Sequence, residues 1–97
     1  MQLQLLLREI GAVAGDIELL QGQIEDNEET VQELMKQSGS EFMQYQKMQA
    51  DREIRRDKRT VETKLRQLRN LRSDAIRLAA GMTPPVILEG SVLRNDL

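Results

Sequence analysis

Two groups of residues in this chain are of types that could do chemistry. Carboxylates gather at Glu25, Asp26, Glu28 and Glu29, and arginines at Arg52, Arg55, Arg56 and Arg59. Paired acids catalyse proton transfer when both reach one substrate atom. Glu28 and Glu29 are adjacent, and neighbours on a helix point about 100° apart. They do not converge, and they read as a solvated face. The acidic run lacks the alternating ligand spacing and the central glycine of a calcium loop. No glycine-rich loop ends in Lys-Ser or Lys-Thr, so no phosphate cradle is present. The chain has no His and no Cys, which removes disulfides, thiol nucleophiles, imidazole relays and most zinc sites. No catalytic residue, metal or cofactor is expected, and the chain reads as a non-enzyme.

The arginines are a different matter. Arg52, Arg55, Arg56 and Arg59 follow i, i+3, i+4, i+7, so they form one stripe on a helix, with Arg66 and Arg69 near its continuation. A guanidinium donates two coplanar bonds to a phosphate or a carboxylate. Nucleic-acid contact is therefore one reading. Against it, five acids are interspersed through residues 51–80 and no aromatic there can stack on a base. The favoured reading is an arm that pairs with the acidic half of the chain or with an acidic partner protein.

The elements that must hold these groups follow from charge and periodicity. Residues 1–50 carry nine acids and three bases, whereas residues 51–80 carry ten bases and five acids. The formal net charge of −2 thus hides two opposed halves. In residues 1–37 one heptad position holds Leu3, Ile10, Ile17, Ile24 and Val31, and the other holds Leu6, Val13, Leu20, Asn27 and Leu34. Apolar residues spaced alternately three and four apart make a helical stripe that must be covered by another helix. Asn27 is the polar exception, of the kind that fixes register in a helical seam.

Ser38, Gly39 and Ser40 interrupt the pattern at 38–40. Gly39 is expected to end the first helix with a positive φ, and Ser38 with Glu41 to cap the next. A second helix over 41–80 then has a shifted frame. Ile54, Val61, Leu68 and Ala75 occupy one seam position, and Lys58, Leu65, Arg72 and Ala79 the other. Gly81 and the pair Pro84 and Pro85 stop it. The remainder, 81–97, is an extended tail. Its Val86, Ile87, Leu88, Val92 and Leu93 suit it to dock on a partner as a strand or along a groove.

Two smaller features matter for contact. Gly11 and Gly15 mark either a close helix approach or a weak spot in the helix. Met35, Phe42, Met43, Tyr45 and Met48 gather near the turn, where they make either a plug for the hairpin end or an adaptable contact patch. The plug is the preferred reading, since exposed apolar patches are uncommon on monomers.

The fold expected is all-α: a long two-helix antiparallel hairpin or coiled coil, with the acidic arm beside the basic arm, that completes a bundle with other chains. Only 2% of residues are aromatic, and an isolated hairpin with so few large side chains is marginal. No stretch approaches the roughly 20 apolar residues of a membrane span, and no leader is visible. A soluble chain is expected, compatible with the cytoplasm or with a virion or secretion assembly. The function expected is that of a non-catalytic structural or adaptor subunit acting through its helices and tail, as a homo-oligomer or in a hetero-assembly. The alternatives are a small nucleic-acid-associated protein and a chaperone-like assembly factor. In architecture alone, such hairpins resemble small assembly factors, secretion-apparatus stalks and virion structural components.

Overall fold

The structure is a computed structural model that describes residues 2–37 and 39–88. The chain is all-α. Helix α1 spans Gln2–Met35 and helix α2 spans Glu41–Ala80, and no strand occurs among the described residues. The two helices form an antiparallel hairpin. The chain divides into two compact units: a turn unit, Glu18–Glu62, and an end unit, Met1–Ile17 with Thr63–Leu97.

Local chemistry sets the helix ends. α1 closes on tighter i→i−3 bonds, Lys36 N–H to the Glu33 carbonyl at 3.2 Å and Gln37 N–H to the Leu34 carbonyl at 3.3 Å, a common way to satisfy the last carbonyls. The cap of α2 is Ser40, whose Oγ accepts the Met43 N–H at 3.2 Å, as an N-cap serine does. Ser38, expected in that role, lies outside the described residues. Gly39 does not take a positive φ; a Cβ added there would meet only the Gln44 side chain at ordinary contact distance. The turn therefore depends on the serine cap and not on a left-handed glycine. Glu41 in the first turn of α2 and Arg77 in the last both suit the helix dipole. Gly81 continues the ladder by one bond to Arg77, and Val86 N–H donates to the Ala79 carbonyl at 3.1 Å. The start of the tail thus folds back on the helix end.

In the end unit, Leu3, Ile10, Val13 and Ile17 of α1 are buried, together with Leu68, Ala75 and Ala79 of α2. Leu6 and Leu65 are half-buried. Arg72 is also buried. In the turn unit the buried apolar residues are Ile24, Ala50 and Val61, with Leu20, Asn27, Val31, Leu34 and Ile54 half-buried. Ile17 and Leu68 are the largest fully buried side chains, and both belong to the end unit. The turn unit has the thinner core. One seam position of α2 is displaced from expectation: Lys58 is exposed, and Asp57, only 6% exposed, occupies the seam in its place. Ala50, Ile54, Asp57 and Val61 hold the i, i+4, i+7, i+11 rhythm that faces one neighbour helix. Lys58 falls outside that rhythm and turns to solvent.

Candidate interaction surfaces

Helix seams bring residues from both helices together in each unit. In the turn unit the Asn27 side-chain amide donates to Glu53 Oε2 at 3.2 Å. Asn27, at a seam position of α1, thus finds a partner on the flank of α2. In the end unit Lys64 Nζ meets Asp16 Oδ2 at 3.2 Å. These two polar contacts fix which turns of α1 and α2 stand level in each unit.

The acidic arm meets the basic arm through Asp16 and Lys64, but not through the cluster at Glu25 and Asp26. Asp16 with Lys64 is an ion pair between the helices, whereas Arg56 with Asp57 and Arg77 with Asp74 stay within α2. Glu25 and Asp26 make no ion pair with Arg52, Arg55 or Arg56. The physical reason is geometric. Glu25, Asp26, Arg52, Arg55 and Arg56 are exposed, and their side chains leave each helix toward solvent. Arg52, Arg55, Arg56, Arg59, Arg66 and Arg69 are all exposed.

The cluster beside the turn is also not a plug. Met35, Phe42, Tyr45 and Met48 are exposed, Met35 and Phe42 to 67% each, and Met43 is half-buried. Phe42 and Tyr45, with Gln46, Gln49, Ala50, Glu53, Asn27 and Thr30, line an open groove of about 400 Å³ in the turn unit. Gln49 Nε2 donates to the Tyr45 hydroxyl at 2.8 Å along its edge. Spacing in the sequence placed these residues near the turn; it gave no sign of the groove, whose lining comes from both helices.

Gly11, Gly15 and Gly22 are exposed, and a Cβ added to any of them would have nothing within 4 Å. No helix of this chain approaches closely at those positions. In the tail, Ile87 is 95% exposed and Val86 42%, while Leu88 is half-buried. Val92 and Leu93 lie outside the described residues.

No group of three or more His, Cys, Asp or Glu side chains among the described residues is placed to hold a metal ion. No helix among them is long and apolar enough to cross a membrane. Compared with known proteins, the chain matches no family model, and no curated protein and no solved structure is significantly similar to it.

Proposed function

We propose that this chain is a non-catalytic structural or adaptor subunit of a larger macromolecular assembly, acting through its coiled-coil helices and its C-terminal tail. The observation that carries the reading is the imbalance of the turn unit. It buries no large side chain completely, yet it exposes Met35, Phe42, Tyr45 and Met48. A soft, aromatic patch beside a thin core is what a contact surface looks like before its partner is in place. Ile87 and Val86 give the tail a second apolar anchor. The test is native mass measurement of the chain isolated at natural abundance from its source cells, with and without residues 83–97. The expected result is a stoichiometric complex that weakens when the tail is removed. A chain recovered alone in both forms contradicts the proposal.

A second reading is supported by the exposure of all six arginines in the 52–69 stripe: contact with the phosphates of a nucleic acid. Retention of DNA or RNA that falls steeply with salt would favour it, and passage of both without retention at low salt would end it.

A further inference from the structure

We propose that the outer face of α2 in the turn unit binds a single strand of nucleic acid, with phosphates on Arg52, Arg55, Arg56 and Arg59 and bases stacked on Tyr45 and Phe42. The proposal rests on the second reading above, contact with phosphates, and names an unpaired strand as the ligand.

Three features of the sequence oppose a nucleic acid: acids interspersed among the arginines, no aromatic among residues 51–80, and an acidic arm able to neutralise the basic one. The structure places each of them so that the objection lapses. Ala50, Asp57 and Val61 mark the buried line of α2. At about 100° per residue, Arg52 and Arg59 stand on the opposite side of the helix, with Arg55 and Arg56 flanking them. The acids lie elsewhere. Asp57 is 6% exposed and occupies the seam. Glu53 accepts the Asn27 amide of α1, and Asp51 lines a groove shared with Glu28 and Val31 of α1. Between Glu41 and Glu62 the outer face therefore carries no carboxylate. Among the described residues no acid of α1 forms an ion pair with Arg52 or Arg55. Arg56 has a long contact of 3.8 Å to Asp57, while its side chain stays 74% exposed.

The aromatic side chains stand just before the arginines. Tyr45 precedes Arg52 by seven residues, two helical turns, and so shares its side of α2. Tyr45 is 56% exposed, and Phe42, three residues earlier, is 67% exposed. Gln49 donates to the Tyr45 hydroxyl at 2.8 Å and tethers the ring. Gln46 lines the groove beside both rings, and its amide can donate to and accept from the edge of an unpaired base. From Phe42 to Arg59 the face runs about 25 Å at the helical rise. Rings in line with guanidinium groups suit a single strand. The arginines take phosphates, and exposed rings take bases that are not already stacked inside a duplex. The carboxylates of an acidic protein would engage the arginines and leave the ring faces without a stacking partner.

The chain has one Tyr and no Trp, so its intrinsic fluorescence reports on Tyr45, and a base stacked on the ring quenches it. The full chain is titrated with oligodeoxythymidylate and oligouridylate of about 12 nucleotides, with a DNA duplex of the same length, and with a polyglutamate peptide. Anisotropy of each labelled probe gives affinity, and circular dichroism checks that every variant stays helical. Both single strands are expected to bind and to quench, and the duplex to bind more weakly without quenching. With about four phosphates contacted, affinity is expected to fall about fiftyfold between about 50 and about 200 mM salt. Arg52→Gln with Arg55→Gln is expected to reduce that fall to about sevenfold. Tyr45→Ala is expected to lose at least about fivefold in affinity with its salt dependence unchanged, and Tyr45→Phe to keep the wild-type affinity. Binding without quenching, or a Tyr45→Ala variant that loses nothing, overturns the proposal; the phosphate reading survives it if binding still falls steeply with salt. Absence of binding to every nucleic acid at low salt overturns both. Polyglutamate bound as tightly as the single strands also overturns the proposal, and assigns the arginines to an acidic protein.

Discussion

Leu68→Ala, set beside Leu19→Ala, separates the stability carried by the helix seam from that carried by the outer face. The two substitutions delete the same atoms from long helices and change helix propensity by the same small amount. Their surroundings differ: Leu68 is 1% exposed and Leu19 is 66% exposed. Truncating a fully buried leucine loses its transfer free energy and leaves a cavity, at a cost of about 2–5 kcal/mol. Truncating an exposed one costs under about 0.5 kcal/mol. For a chain of this size each kcal/mol moves the melting temperature by about 4–8 °C. Leu68→Ala is therefore expected to lower the melting temperature by at least about 8 °C, or to leave the chain unfolded at room temperature, and Leu19→Ala to lower it by less than about 4 °C. Thermal unfolding followed by circular dichroism at one fixed protein concentration gives both values. Equal shifts for the two variants would refute the assignment of the seam, because the outer face of α1 would then be as deeply covered as the inner one.

Other substitutions test the remaining structure. Gly15→Ala is expected to raise stability by about 1 kcal/mol, because the added methyl meets nothing within 4 Å and glycine weakens a helix by that amount; a fall in melting temperature would place a partner against that position. Ser40→Ala removes the acceptor for the Met43 N–H and should cost about 1 kcal/mol, read by thermal melting; no change would show that Ser40 does not cap α2. Asn27→Leu is expected to raise the melting temperature, since a polar group leaves the seam and its partner Glu53 is exposed and can return to water; a clear loss of stability would make the Asn27 to Glu53 bond more valuable than a half-buried contact should be. Asp16→Asn breaks the pair with Lys64, whose side chains are 55% and 27% exposed, and should cost less than about 1 kcal/mol at low salt and nothing measurable at high salt.

The aliphatic heptads made the helices and the α1 seam readable, because burial of a stripe requires 3.6-residue periodicity and little else. Every heptad position named for α1 is buried or half-buried in the structure. The α2 frame was half legible: Ile54, Val61, Leu68 and Ala75 follow from apolar spacing, but Asp57 in the seam and Lys58 outside it do not, because a carboxylate gives no hydrophobic signal. Charge pointed to the hairpin, which the structure has, but not to the contacts within it. Opposite net charges on the two arms suggested pairing, yet Glu25 and Arg55 leave their helices outward, and net charge contains no information about which way a side chain points. The patch of Met35, Phe42, Tyr45 and Met48 could be located from the sequence, but its exposure could not, because helical spacing alone does not say which side chains the other helix covers. Ser40 was hidden by the nearby Ser38, since two serines two residues apart offer the same capping chemistry.

The account depends most on the claim that this hairpin completes its core with another polypeptide. Melting the intact chain over about two decades of concentration, with sedimentation at each end of the range, tests it directly. The expected result is a melting temperature that climbs with concentration while the sedimenting mass rises above 11.1 kDa. One sharp transition at the same temperature throughout, from a species that sediments as a single chain, would contradict it.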